Sequence, residues 1–336
     1  MQSSKIPVKY KFSIHHLSLI IYHLLITYLE LCRNFGLSEV IAQKGLVAHE
    51  KYPLLVPKSF VAKMEKGNPR DPLLLQILPR PEELDKVDGF SDDPLREQTG
   101  ENHCPLLQKY DGRVLLFATN RCAVHCRYCF RRNLKKQPKV DFDLPQVPLP
   151  AEVILSGGDP LTFSDDELSE LLTIIRGRPG VRRIRIHTRF PVVDPKRWTA
   201  PLLSMLHSDR KTVFSMVLHI NHPREIDDEF TEAITEAVHR GIPIFVQSVL
   251  LREINDDFET LFELYEKLIS LRMVPYYLHQ LDRIAGAAHF EVDPKRGLDL
   301  IDRLHRSLPG YAVPRYVREV PGERSKVPVS VSVETR

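Results

Sequence analysis

The chain has 336 residues, 43% of them apolar and 27% charged, a composition that excludes a disordered polymer and leaves room for one large domain or two ordinary ones. A net charge of +3 is too small over this length to argue by itself for a nucleic-acid or membrane-surface partner. Five cysteines, three of them within residues 122–129, argue against a disulfide framework and point to a reducing, cytoplasmic compartment.

The first element along the chain is SIHHLSLIIYHLLITYL (13–29), apolar and free of acids before Glu30. It is short of the roughly 20 residues of a spanning helix, carries His23 and lacks a small-residue cleavage site. A buried or amphipathic helix is therefore expected, with a membrane anchor or a mis-assigned start as the alternatives. PKSFVAKMEKG (57–67) reads as a helix stopped by Gly67, and residues 1–109 as a mainly helical region. Cys32 and Cys104 match no cluster and read as small buried side chains.

From residue 112 short β-rich runs alternate with helical patterns. The strands are RVLLFAT (113–119), EVILS (152–156), RRIRIHT (182–188), TVFSMVLHI (212–220), IPIFVQSVLL (242–251) and VPYYLHQL (274–281). Between them lie SDDELSELLTIIRG, with a capping box at Ser164 and Glu167, DDEFTEAITEAVHRG, ending on Gly241, and DDFETLFELYEKLISL (256–271). Residues 133–151 hold four prolines and no helical period, so the first crossover helix is expected to be shortened or missing. This rhythm predicts an α/β fold with a parallel sheet, a partial (β/α)6 barrel over 110–310, followed by a C-terminal segment 311–336.

In such folds chemistry collects at the strands' C-terminal ends, and there stand a cysteine cluster, GGDP, TRFP, NHPRE and Asp282. Cys122, Cys126 and Cys129 form C-x3-C-x2-C. Three thiolates are one short of a closed tetrahedral zinc site, whereas a [4Fe-4S] cluster held by three cysteines keeps one iron open to another ligand. Zinc completed by His125 or a distant histidine is the alternative. His219, His222, His279 and His289 lie near the same rim and read as packing residues. An aromatic and basic stripe of the kind that binds nucleic acid is not apparent.

With Tyr128 ahead of the last cysteine, the spacing resembles the radical S-adenosylmethionine superfamily. That resemblance implies a cluster on Cys122, Cys126 and Cys129, and Gly157 and Gly158 beside S-adenosylmethionine, where a missing Cβ admits backbone contact. A narrower resemblance follows. CRYCFRR, SGGDPL, HTRFPVV, NHPREI, QSVLLREIND, PYYLHQLD, GAAHF and PGERSKVPV occur in this order in proteins similar to lysine 2,3-aminomutase. VPKSFVAKMEKGNPRDPLL (56–74), and an end soon after the last motif, look most like the short bacterial members that make (R)-β-lysine for elongation factor P.

This second resemblance implies pyridoxal phosphate on Lys326, with Tyr110, Arg113 and Gln247 around its phosphate or ring. It implies Arg131 for the carboxylate of L-lysine and Asp282 and Glu319 for the distal ammonium, Glu319 standing where longer members have Asp. It also implies a flavodoxin or ferredoxin type reductant and, indirectly, a ligase and elongation factor P downstream. The other readings are a free-lysine or other amino-acid aminomutase, and a metal-stabilised protein without catalysis. Without the resemblance, Asp282 and Glu319 would be ordinary surface partners of Arg283 or Arg318, and Lys326 a solvated charge.

Overall fold

The computed structural model describes residues 26–97, 105–133, 150–207 and 211–330. Most of the apolar segment 13–29, most of the proline-rich 133–151 and Cys104 lie outside the described residues. Among those described, no helix is long and apolar enough to cross a membrane.

The N-terminal part is built from short, individually capped helices. Thr27 caps α1 (Tyr28–Asn34) by accepting from the Glu30 N–H, and Ser38 caps α2 (Glu39–Lys51) by accepting from the Ile41 N–H. The helix expected over 57–67 is only α3 (Lys58–Ala62), because residues 63–67 leave the helix as turns that end on Gly67 at φ +78°. Asp71, fully buried, caps α4 (Pro72–Leu75) by accepting from the N–H groups of Leu73 and Leu74. None of these helices is long enough to be stable alone, and their stability comes from a shared core. Leu31, Phe35, Phe60, Leu73, Leu74 and Ile77 close that core together with Val124, from a loop at the rim of the sheet, and Val193, from a short helical turn at the same rim. The helical layer is thereby fixed against the cysteine loop.

The rest is one sheet in strand order 1 to 9. β1 (Leu106–Tyr110) and β2 (Arg113–Thr119) are antiparallel, and β2, β3 (Glu152–Gly157), β4 (Arg183–Thr188), β5 (Val213–His219), β6 (Ile244–Val249), β7 (Val274–His279) and β8 (Arg315–Arg318) run parallel. β9 (Val327–Pro328) closes the series antiparallel to β8. β1 and β9 are the two edges, so the barrel is open. The connections carry α5 (Asp165–Arg176), α6 (Phe190–Val193), α7 (Ala200–Met205), α8 (Asp228–His239), α9 (Phe258–Ser270) and α10 (Pro294–Ser307). The capping box forms as expected: Ser164 Oγ accepts from the Glu167 N–H at 3.1 Å and Glu167 Oε2 from the Ser164 N–H at 2.9 Å.

Alternation along the strands separates the two faces of the sheet. Val114, Leu116, Leu155, Ile184, Ile186, Met216, Val246 and Leu278 pack against the helices in the main core. The opposite residues, among them Arg113, Arg185, His187, Gln247, Tyr277 and His279, line a cavity. A closed barrel fills that space with branched apolar layers. Here the inner face is polar, which makes it a site instead of a core.

Candidate active site

The cavity measures about 290 Å³. Its upper wall is the loop after β2, anchored from below by Arg127. This guanidinium is fully buried and donates to both oxygens of Glu83, at 2.8 and 2.5 Å, and to the Tyr52 carbonyl at 2.6 Å. Arg132 also donates to Glu83. A buried carboxylate between two guanidiniums holds the loop in one register. Cys122, Cys126 and Cys129 all face the cavity. Burial and the neighbouring sulfurs push the Cys122 thiol well up and that of Cys129 to about 11. Three sulfurs on one wall would repel if ionised together, and a shared positive metal group would relieve that, which fits cluster ligation. Among the described residues no three His, Cys, Asp or Glu side chains group so as to hold a single metal ion.

His125 does not complete a zinc site with these thiols. Its Nδ1 lies 2.7 Å from the Pro53 carbonyl, its ring stacks on Tyr52, and it is not among the cavity-lining residues. Tyr52 does line the cavity, and the guanidiniums of Arg127 and Arg132 each lie 4.6 Å from its ring centroid.

The GGDP turn meets the cysteine loop at closest approach. The Gly158 N–H donates to the Thr119 carbonyl at 2.6 Å, and a Cβ on Gly158 would stand 2.3 Å from the Arg121 carbonyl oxygen. Glycine is required there first by the neighbouring backbone. Asp159 then ties the GGDP turn to the TRFP motif. It accepts from the Thr188 hydroxyl at 2.6 Å and from the N–H groups of Leu161, Arg189 and Phe190 at 3.0, 2.8 and 2.9 Å. Arg189, thus positioned, donates to Cys126 Sγ at 2.8 Å, the Tyr128 hydroxyl at 2.6 Å and Glu225 at 3.0 Å. Asn221 donates to the same tyrosine oxygen at 2.7 Å. The TRFP and NHPRE motifs therefore converge on the cysteine loop.

On the far side Lys326 donates to Glu319, which also accepts from the Tyr110 hydroxyl at 2.6 Å. Burial opposes ionisation of Glu319, but Lys326 and Tyr110 overcome it and hold the carboxyl at about 2. Arg113 stacks on the Tyr110 ring at 4.4 Å. Asp282 behaves oppositely: burial pushes it up to about 7, with Lys326 opposing and Glu319 and Glu97 adding to the rise. Arg283 does not neutralise it, being paired with Glu291 at 2.7 Å. Arg131 donates from Nε and Nη2 to Glu97, at 2.7 and 3.2 Å, and from Nη1 to Ser156 Oγ at 2.9 Å.

The residues singled out from sequence, namely Cys122, Cys126, Cys129, Gly157, Gly158, Tyr110, Arg113, Gln247, Arg131, Asp282, Glu319 and Lys326, all line this one cavity. Sequence reasoning missed Glu97, Lys109, Arg189, Tyr52 and His187. Arg189 sits inside a quoted motif, whereas Glu97 and Lys109 are single charges outside any motif. The donors present suit three groups: sulfurs for a cluster, an amine beside phosphate-suited cations for pyridoxal phosphate, and a glycine edge for S-adenosylmethionine.

No protein-family model matches the chain. Curated relatives do. It is 40% identical over 300 residues to the L-lysine 2,3-aminomutase of Escherichia coli K12, covering 86% of either chain. The Haemophilus influenzae protein of the same name is 40% identical over 307 residues, with 88% and 90% covered. That of Clostridium subterminale is 35% identical over 280 residues, with 80% of this chain and 67% of that one covered. Among solved structures, Streptococcus suis SuiB bound to S-adenosylmethionine superposes with a TM-score of 0.47 at 13% identity, over 63% of this chain and 51% of that one, a likeness that carries no argument.

Proposed function

This chain belongs to the L-lysine 2,3-aminomutase family, and we propose that it is a radical S-adenosylmethionine isomerase that moves the α-amino group of L-lysine to the neighbouring carbon, giving β-lysine. Reactant and product have the same atoms, so nothing is consumed overall. When bound, the cluster with S-adenosylmethionine supplies a carbon radical able to take hydrogen from an unactivated C–H bond, and pyridoxal phosphate supplies an aldehyde and a conjugated system that spreads the unpaired electron.

The chain's own residues bind, orient and exclude water. Cys122, Cys126 and Cys129 would hold the cluster, with Arg189 fixing the Cys126 sulfur. Gly157 and Gly158 would border S-adenosylmethionine. Lys326 would carry pyridoxal phosphate, with Tyr110, Arg113 and Gln247 around it. Arg131 would take the substrate's carboxylate and Asp282 its distal ammonium. The contact between Glu319 and Lys326 adds to Glu319's expected part in reading the ammonium that of counter-ion to the lysine. Two fixed ends on one substrate hold its reacting carbons still, and the buried walls keep water from a reactive radical.

One observation carries the reading: residues drawn from motifs spread over residues 110–326 line a single cavity on the concave face of the sheet. The finer assignment is (R)-β-lysine, made with a flavodoxin or ferredoxin as reductant and consumed by a ligase acting on elongation factor P. It is supported by the motif at 56–74. The test is anaerobic turnover of L-lysine by the reconstituted chain, with the product resolved by chiral chromatography. (R)-β-lysine that disappears in Lys326→Ala and Cys126→Ala supports the proposal. A loaded cluster and bound pyridoxal phosphate without β-lysine refute it.

A further inference from the structure

Five charged side chains form an unbroken row of alternating sign across the cavity. Arg131 meets Glu97 at 2.7 Å, Glu97 meets Lys109 at 2.8 Å, Lys109 lies 3.6 Å from Glu319, and Glu319 is bound to Lys326. Glu97 is 2% exposed. It grips Arg131 along the Nε and Nη2 edge, the edge a free carboxylate prefers. Nη1 is given to Ser156 Oγ and, at 3.5 Å, to the Gly157 carbonyl. Phe117 and Phe130 cover the guanidinium, with centroids 5.1 and 4.5 Å away. A guanidinium has five N–H donors. Four are engaged, and the one left cannot offer a two-point grip to an arriving carboxylate.

We propose that Glu97 is the resident stand-in for the substrate's carboxylate, and that binding is an exchange in which the substrate takes Arg131 while Glu97 passes to Lys109. The inference rests on the reading of this cavity as an amino-acid site. A buried arginine left open would be an unpaired charge in the free protein, and Glu97 removes that penalty. The exchange keeps every charge paired, because Lys109 already touches Glu97 before the substrate arrives. It also sets specificity. A diamine without a carboxylate has nothing to trade for Glu97 and gains nothing from Arg131.

The sign of the effect separates exchange from simple support of Arg131. Glu97→Gln removes a competitor, so the full chain loaded with cluster and pyridoxal phosphate should bind L-lysine about tenfold more tightly by isothermal titration. Binding of 1,5-diaminopentane, which has no carboxylate to take the freed guanidinium, should not show this tightening. Lys109→Met removes the receiving cation and should weaken L-lysine binding by about tenfold. If Glu97→Gln does not fold, Glu97→Asp, one methylene shorter with the charge kept, should shift lysine binding in the same direction by about threefold. Lysine binding that is unchanged or weaker in the Glu97 variants, beside a normal wild type, overturns the exchange and leaves the proposed function standing. A wild type that binds neither lysine nor the diamine removes the proposed function, and the exchange with it.

Discussion

The charge state of Asp282 gives a pH test of the proposed recognition of an ammonium group by the cavity. Burial raises this carboxyl from an ordinary 3.8 to about 7, so it is largely neutral at pH 6 and largely ionised at pH 8. An ammonium ligand favours the ionised form, and its binding must expel the proton wherever one is held. The ionised fraction rises from about one-tenth to about nine-tenths across that interval, so affinity for L-lysine should rise about tenfold from pH 6 to pH 8. Titration calorimetry on the protein free of pyridoxal phosphate, in buffers of different ionisation enthalpy, should show close to one proton released at pH 6 and almost none at pH 8. Asp282→Asn should abolish both the slope and the release. The same rise has a stability sign. A carboxyl raised in the folded state favours folding below about pH 4, and that contribution is lost as pH rises through about 7. The interval corresponds to at most about 4 kcal/mol. Asp282 is only partly buried, and water screens it, so Asp282→Asn should gain about 1–2 kcal/mol at pH 8 and nothing near pH 4 in urea unfolding. A lysine affinity that is flat from pH 6 to 8 in the wild type would refute the assignment of Asp282 to the ammonium.

Gly158→Ala should destabilise the chain by about 3 kcal/mol and lower iron bound per chain, because its Cβ would stand 2.3 Å from backbone that cannot yield without moving the cysteine loop; full stability by urea unfolding together with full iron loading would show that the turn has slack. Tyr52→Ala should speed iodoacetamide labelling of Cys122, Cys126 and Cys129 in the iron-free chain severalfold, read by mass spectrometry, while Tyr52→Phe keeps the wild-type rate. Glu319→Gln should cost about 1–2 kcal/mol at pH 7. Its carboxyl is held at about 2, so that contribution is present above about 4.5 and is lost as pH falls toward 2. Urea melts in which the variant's deficit grows with acid would contradict this pairing.

How much of this was legible in the sequence varies with the kind of signal. β2 occupies 113–119 as expected because an uninterrupted apolar run after a turn leaves little choice of limits. β1 was absorbed into the helical region, although Asp111-Gly112 between Tyr110 and Arg113 is a hairpin signal and Gly112 has φ +74°. β8 (RYVR) is too short and too charged for a period to appear, and it pairs because β7 offers it an edge. Residues inside motifs could be singled out as candidates, since turn chemistry and spacing mark them, and they line one cavity. Glu97 and Lys109 carry no such mark. Their partners lie 34 and 210 positions away, at Arg131 and Glu319, and only the folded sheet brings them together. The glycines of GGDP were singled out for contact with a ligand, whereas the contact that forbids a Cβ in the structure is with the chain itself.

The inner face of the sheet breaks the pattern that stabilises the outer one, and the break has a physical reading. His187, His219 and His279 stand where a packed barrel would place branched apolar side chains, and burial pushes all three toward the neutral form, His219 to about 3. His187 Nε2 is buried without a protein partner. A buried polar atom left unpaired costs about 1–3 kcal/mol, and it persists only where the surrounding core supplies the difference. That core exists on the helix side, where the same strands present Leu116, Ile184, Met216 and Leu278. Folding is thus secured by one set of alternate residues, which leaves the other set free to carry charges and imidazoles, some paired within the cavity, as His219 Nε2 is with the Tyr128 hydroxyl at 3.0 Å, and one, His187, left open. Sequence rules for a packed core fail locally on this face, and the failures coincide with the cavity.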